Sequence, residues 1–131
     1  MILKDIYAYL KQSAILRVAL EAGENDSKLY PNYARMSSKV PYIVYRSTNP
    51  GGTTDEVLNT EQITLTVTSE SFLQTVEISF ILTELLDLTE NKISSSLYNI
   101  YYAKKVGGSD YVDELGRHVR ALNFLFKFKK Q

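Results

Sequence analysis

The sequence of 131 residues contains no cysteine and no tryptophan, and it has a single histidine and three prolines. Without cysteine, the chain cannot form a disulfide framework, a thiolate zinc site or a cysteine nucleophile. No apolar run approaches the roughly 18 residues of a membrane-spanning helix, and the first residues lack the apolar block of a signal peptide. We therefore expect a protein with no membrane partner, located in the cytoplasm of its host.

An excess of either charge is also missing, because 15 basic residues balance 15 acidic ones. Broad nucleic-acid binding usually shows as a basic excess, so the composition does not indicate it. The chain has instead 44% hydrophobic residues and ten tyrosines. This content is enough to bury a core, and the length predicts a single domain over residues 1–131. Tyrosine often lies at surfaces that meet a partner.

The end of the chain has the clearest strand pattern. Leu122, Phe124 and Phe126 alternate with mostly polar residues, which places the aromatic side chains on one face of a strand. Leu125 interrupts the polar face and is a candidate contact point. Segments rich in β-branched or aromatic residues predict three further strands. The four predicted strands cover residues 42–47, 61–68, 96–105 and 117–130, and Gly107-Gly108 is expected to interrupt the third.

Serine residues mark the starts of two predicted helices, because a serine hydroxyl can accept a hydrogen bond from a free N–H group of the first turn. Ser13 precedes a short helix over residues 14–22, behind a first helix near the N-terminus; one bent helix is the alternative. Ser71 precedes the main helix, whose wide apolar stripe includes Phe80. These elements predict an α+β fold with a mostly antiparallel four-stranded sheet and helices packed on one face. The predicted inner surfaces include Ile63, Leu65, Val67, Phe80, Leu122, Phe124 and Phe126.

A catalytic or metal site would have to use His118, the only histidine, with Asp110, Asp113 or Glu114 nearby in the sequence. A lone histidine beside a hairpin turn is more often a surface residue. No serine is placed on the strand–turn–helix elbow that activates a nucleophile. We therefore expect no catalytic, metal or cofactor site and no enzymatic activity.

The glycine-containing stretch at residues 49–54 does not follow the phosphate-binding pattern, because the required lysine and hydroxyl residue are missing. Asp55 and Glu56 follow it instead, and their carboxylates would repel a phosphate. This stretch is either a flexible connection or a binding loop in an assembly.

Lysines cluster near strand ends, at Lys104, Lys105, Lys127, Lys129 and Lys130. Together with neighbouring tyrosines, they could bind a single-stranded nucleic acid by stacking and charge neutralisation. They could also form a solvated rim that keeps strands from pairing edge to edge, and we favour this interpretation.

Several segments, taken in order, resemble one protein family. Leu29-Tyr30-Pro31 followed by Val40-Pro41-Tyr42-Ile43-Val44-Tyr45 is similar to the family's "IYP … LPYIVY" segment. Residues 63–68 and 72–88 resemble its central strand–helix unit, and residues 110–120 with the aromatic strand resemble its closing hairpin. The family is the tail-completion proteins of long-tailed bacteriophages and prophages, akin to the tail terminators and tail-to-head joining proteins of lambda-like phages. The resemblance covers about residues 29–128, and the longer polar insertion at residues 33–39 departs from it.

The resemblance implies a structural role without catalytic residues. It implies a ring, commonly hexameric, that caps the tail tube, stops tail growth and makes the surface to which the DNA-filled head attaches. The expected partners are copies of the same chain, the tail-tube protein and a head-completion or connector protein, with DNA passing through the ring. The expected location is the head-proximal end of the virion tail.

A closed ring requires contact between two unlike patches of each subunit. The loop with Asp55 and Glu56 and the stretch with Lys104 and Lys105 have opposite charges, and both carry glycine pairs. We therefore predict that these four residues meet across the subunit interface, where their charges would set the register. Two other functions stay open, namely a small α+β module that binds a ligand or nucleic acid and a small enzyme that uses His118.

Overall fold

The computed structural model describes residues 2–23, 26–34, 39–47, 59–89 and 93–131. The helices are α1 (Leu3–Lys11), α2 (Ala14–Ala19) and α3 (Phe72–Leu86). The strands are β1 (Leu29–Pro31), β2 (Tyr42–Ser47), β3 (Asn59–Ser69), β4 (Ile93–Ser94), β5 (Tyr98–Val112) and β6 (His118–Lys130). Within these described ranges, no helix has the length and apolar character needed to span a membrane.

The strands form one six-stranded sheet in the order β1-β2-β3-β6-β5-β4. β1 runs parallel to β2, and the remaining neighbouring pairs are antiparallel. The predicted α+β class fits this architecture, but the predicted total of four strands was wrong. The four predicted strands are the central four, β2, β3, β6 and β5. β1 and β4 contain only three and two residues, too few to show a period of two.

Both predicted helix starts are confirmed. The Ser13 hydroxyl accepts a hydrogen bond from Leu16 N at 3.2 Å, and the Ser71 hydroxyl accepts one from Gln74 N at 3.1 Å. Each bond satisfies an N–H group that has no partner inside its helix. α1 and α2 are therefore two helices, and α2 ends at Ala19, before the predicted end at residue 22.

One core cluster joins the three helices to the inner face of the sheet, which we define by Phe124 and Phe126. Both phenylalanines are fully buried, as predicted. Four other predicted inner residues, Ile63, Leu65, Val67 and Leu122, are buried with them. The alternation in β3 and β6 was therefore sufficient to assign the inner face of the central strands.

The predicted inner position of Phe80 was wrong, because this side chain is 65% exposed. The buried residues of α3 are Thr75, Ile78, Ser79, Leu82 and Leu86. α3 is apolar around most of its circumference, so a period of 3.6 residues fits more than one face. The face with small hydroxyl residues packs on the sheet, and the face with Phe80 points to solvent.

The buried hydroxyls of α3 are satisfied by the backbone of their own chain. Ser79 Oγ donates to the Thr75 carbonyl at 2.7 Å, and Thr75 Oγ1 donates to the Ser71 carbonyl at 3.1 Å. Hydroxyls in helices commonly bond the carbonyl four residues earlier in this way. α3 can therefore bury these small polar residues, and Thr75 Oγ1 also forms a hydrogen bond with Ser69 Oγ at the end of β3.

Glu61 lies on β3 opposite Phe126, with only 1% of its surface exposed. Burial raises the pKa of its carboxyl group, and the Ser47 hydroxyl and the Ile2 N–H oppose that rise. In the described part of the chain, the Oε2 atom of Glu61 has no hydrogen-bond partner. The charged form of this carboxyl group is consequently disfavoured in the folded protein.

β5 continues through Gly107 and Gly108, which we had expected to interrupt it. Two register shifts, one between Ile100 and Tyr102 and one between Lys105 and Gly107, let the long strand follow β6. Each shift resets which residues face inward, so β5 shows no single alternation along its length. This explains why the sequence predicted a shorter strand.

Two glycines at this end of the sheet have positions that favour glycine. A Cβ atom at Gly108 would collide with the carbonyl oxygen of Ala121 on β6. Gly116, in the turn between β5 and β6, has a φ of 78°, as the predicted turn requires. The close approach and the turn together hold the β5–β6 hairpin in register.

Candidate assembly surfaces

Two of the four residues predicted at a subunit interface lie in the described structure. Lys104 and Lys105 belong to β5, and both side chains are exposed. Asp55 and Glu56 lie outside the described residues. The contact between these two charged stretches therefore stays a prediction.

The two edges of the sheet differ in what they offer a partner. β1 forms one edge and ends at Pro31, which has no N–H to donate to a further strand. At the other edge, β4 pairs with β5 only at Asn99 and Ile100. Over residues 104–112, β5 pairs with β6 on one side and with no described strand on the other. The backbone of this stretch can therefore accept a strand from a partner.

Lysines and tyrosines cover part of the outer face of the sheet, the face away from the helices. We call Tyr101, Tyr102, Lys104, Lys127 and Lys129 the lysine–tyrosine ladder. Lys127 Nζ lies 4.8 Å from the centre of the Tyr102 ring, and Lys129 Nζ lies 5.5 Å from the centre of the Tyr101 ring. These cation–π contacts hold two ammonium groups over aromatic rings at the surface.

The ladder depends on the register shift that follows Ile100. Ile100 and Ala103 are both buried, so the two tyrosines between them lie together on the outer face. Leu125 pairs with Lys104 on one side and with Gln62 on the other. The candidate contact point at Leu125 therefore lies next to the ladder, on the same face.

The solvent side of α3 carries large apolar residues between acidic ones. We call Leu73, Glu77, Phe80 and Glu84 the outer stripe, because their spacing of three and four residues places them along one side of the helix. Leu73 is 78% exposed and Phe80 is 65% exposed. The sequence pattern did not predict this surface, although α3 has more large apolar residues than one buried face can hold.

α2 lies beside the outer stripe and extends its apolar surface. Ile15 and Val18 of α2 are 69% and 78% exposed. A groove of about 350 Å³ between the two helices is lined by Ala14, Ile15, Val18, Ala19, Glu77 and Ile81. Neighbouring exposed apolar side chains of this kind mark surfaces that bind a partner.

Charge is separated between these two surfaces, although the whole chain is neutral. α3 contains Glu77 and Glu84 and no basic residue. The ladder contains three lysines, and the adjacent residues 62–69 of β3 carry no charge. The helical surface is therefore acidic, and this part of the outer sheet face is basic.

His118 lies at the start of β6, beside the first turn of α3. Its ring centre is 6.2 Å from that of Phe72, in an edge-to-face arrangement. Its backbone carbonyl lies 3.5 Å from Thr75 Oγ1. Besides its strand partners Ser69 and Val112, His118 thus contacts the first turn of the helix that packs over it.

The acids near His118 in the sequence are engaged with arginines. Asp110 accepts a hydrogen bond from Arg120 Nε at 2.6 Å, and Asp113 accepts one from Arg117 Nε at 2.8 Å. The hydrogen bond from Arg120 lowers the pKa of Asp110. Among the described residues, no three histidine or acidic side chains come together where they could hold a metal ion.

Comparison with known proteins identifies the fold in solved structures. The sequence matches no protein-family model and no curated protein. A chain from the virion of a native gene transfer agent particle has a TM-score of 0.64 and 10% identity, over 95% of this chain and 90% of that one. A second solved chain, which carries no functional description, has a TM-score of 0.59 and 9% identity, over 98% of this chain and 94% of that one. At these identities, the likeness shows a shared fold.

Proposed function

We propose that this protein is a structural component of a phage-type virion, and more specifically a tail terminator. In this role it forms a ring on the end of the tail tube, stops tube growth and provides the surface that joins the tail to the head. The observation that carries the proposal is the likeness to the gene transfer agent virion chain, which extends over 95% of this protein and 90% of that chain.

The resemblance seen in the sequence supports the proposal from a separate direction. Its segments become neighbouring parts of one sheet, because β2 pairs with β3 and β3 pairs with β6. The same elements thus carry both the sequence resemblance and the shared fold. The proposed partners are further copies of the chain, the tail-tube protein and a head-completion protein, with DNA passing through the centre.

Exposed surfaces of three kinds suit a subunit that contacts several partners. The outer stripe is apolar and acidic, the ladder is aromatic and basic, and residues 104–112 of β5 offer backbone groups. A ring subunit uses unlike patches for its two neighbours and still needs surface for the tube and the head. This role is structural and requires no catalytic group. We propose six subunits for the ring, as the resemblance implies.

The test is assembly of the purified protein with its cognate tail-tube protein. Sedimentation velocity and electron microscopy should detect rings, and adding the protein to growing tubes should shorten them, with tubes grown alone as the control. A protein that stays monomeric at every concentration and leaves tube length unchanged would contradict the proposal.

The lysine–tyrosine ladder favours one alternative function, the binding of single-stranded nucleic acid. Lys127 and Lys129 already lie over tyrosine rings, and lysines beside aromatic rings are a common means of holding a strand. Fluorescence anisotropy with a labelled oligonucleotide would test this function. Affinity that falls steeply with salt and is lost in Tyr102→Ala would favour it over the structural role.

A further inference from the structure

We propose that neighbouring subunits associate head to tail, with the outer stripe of one subunit docked on the lysine–tyrosine ladder of the next. This inference rests on the proposed function, because it assumes that the protein assembles with copies of itself. It assigns the contact to described residues on two different faces of the molecule.

Charge complementarity identifies a second copy of this chain as the partner. The outer stripe presents Glu77 and Glu84 with no basic residue in α3, and the ladder presents three lysines next to an uncharged part of β3. Opposite patches of this kind attract each other and exclude wrong orientations. Each subunit carries one patch of each sign, so two copies in the same orientation are complementary.

The apolar residues of the two surfaces are also complementary. Phe80 and Leu73 project from the stripe, and Leu125 and the two ladder tyrosines provide an apolar and aromatic surface to receive them. Within one subunit, α3 already packs on the inner face of the sheet, whereas the outer face at the ladder carries no described helix. A helix from the neighbour would cover this face and remove its own exposed phenylalanine from water.

The spacing of the charges allows them to pair. Glu77 and Glu84 are two helical turns apart, about 10.5 Å along the axis. Lys129 lies four residues from the point in β6 that is opposite Lys104, or about 14 Å along the strand. Because lysine side chains are long and flexible, they can close this difference without moving the backbone.

The positions of the two patches permit continued assembly. The stripe lies on the solvent side of the helix layer, and the ladder lies on the opposite side of the sheet. One subunit can therefore contact two neighbours at once. Repeated contacts between unlike patches close into a ring when the rotation between subunits allows it.

Two charge-reversal variants test the inference. In the first, Glu77→Lys and Glu84→Lys make both patches basic; in the second, Lys104→Glu and Lys127→Glu leave one lysine against two glutamates in the ladder, so that both patches are acidic. Each variant alone should associate at least about tenfold more weakly than the wild type, because like charges then face each other. An equimolar mixture should associate again, because every stripe then finds an oppositely charged ladder.

The controls separate charge from folding and separate this inference from the proposed function. Glu21→Lys with Glu114→Lys makes the same charge change at two exposed positions elsewhere and should assemble like the wild type. Circular dichroism and thermal melting should show that all variants fold. Sedimentation velocity at low salt is the measurement.

Three outcomes would overturn the inference. If the first variant forms rings as well as the wild type does, the proposed contact is wrong and the tail-terminator role still stands. A mixture that fails to associate, when both variants are folded, would show that the two patches do not meet. A wild-type protein that never assembles would contradict the proposed function and this inference together.

Discussion

The two long faces of α3 differ in a way that residue hydrophobicity alone does not explain. The face on the sheet contains the hydroxyl residues Thr75 and Ser79, whereas the face in solvent contains Leu73 and Phe80. Small residues let a helix backbone approach a sheet, and their hydroxyls can bond to the helix itself. Ile78, Leu82 and Leu86 are buried beside these hydroxyl residues, whereas Leu73 and Phe80 are left outside, where a partner can cover them. The comparison indicates that the sheet side serves folding, whereas the solvent side carries the apolar residues that the proposed association would use.

The largest expected loss of stability is on the sheet side, at the inner face of the sheet against which α3 packs. Phe124→Ala should lower the free energy of unfolding by about 3–5 kcal/mol, because it removes a fully buried ring and leaves a cavity. Urea denaturation of dilute protein would measure it. A loss below about 1 kcal/mol would contradict the assignment of Phe124 to the rigid core.

The next largest loss of stability is expected when a small residue of α3 that faces the sheet is replaced by a large one. Ser79→Leu should destabilise the fold by about 1–3 kcal/mol, because the larger side chain overpacks the space between helix and sheet. Glu77→Leu, on the solvent side of the same helix, is the matched control and should change stability by less than about 0.5 kcal/mol. Equal effects at the two positions would mean that the helix sits differently on the sheet.

A smaller loss of stability is expected when the N-cap of α3 is removed, because the cap stabilises the helix as a whole and not one of its faces. Ser71→Ala should cost about 1 kcal/mol, because the Gln74 N–H loses the hydroxyl that accepts its hydrogen bond. Ser96→Ala, at an exposed serine outside the helices, serves as the control. Chemical denaturation should show a loss only for the capping residue, and Ser71→Asp should largely preserve stability.

The smallest expected change in stability is at the centre of the solvent side. Phe80→Ala should shift the free energy of unfolding of the monomer by less than about 0.5 kcal/mol, because the ring is mostly exposed. Association should nevertheless weaken, since the ring is an apolar anchor of the outer stripe. Sedimentation would detect the loss of assembly. A monomer that is strongly destabilised by this change would mean that Phe80 supports the fold.

The sequence was sufficient to predict those elements whose stabilising contacts lie between residues close together in the chain. Ser13 and Ser71 cap helices through residues three positions away, and the alternation around Phe124 identifies the inner face. The four central strands and the turn at Gly116 follow from similar short-range patterns. These elements could be predicted because their signals lie within a few residues of one another.

The remaining features depend on tertiary contacts that short patterns do not encode. β1 and β4 are strands only because a longer neighbour pairs with them. The face of α3 that is buried is decided by the fit to the sheet, so Phe80 was misplaced. At the candidate site, Lys104 and Lys105 are exposed on β5, and their role at a subunit interface stays a prediction. The outer stripe was missed because its apolar residues were assigned to the core.

The burial of Glu61 links proton binding to folding. Because burial raises the pKa of this carboxyl group in the folded state, the folded chain keeps its proton to a higher pH than the unfolded chain does. The contribution of the protonated Glu61 carboxyl group to the stability of the fold is complete below the ordinary carboxyl pKa of 4.5. It is lost as pH rises through the higher pKa of the folded state. This one side chain therefore makes the fold more tolerant of mild acid than of neutral solution, opposite to the effect of Asp110, whose lowered pKa favours neutral pH.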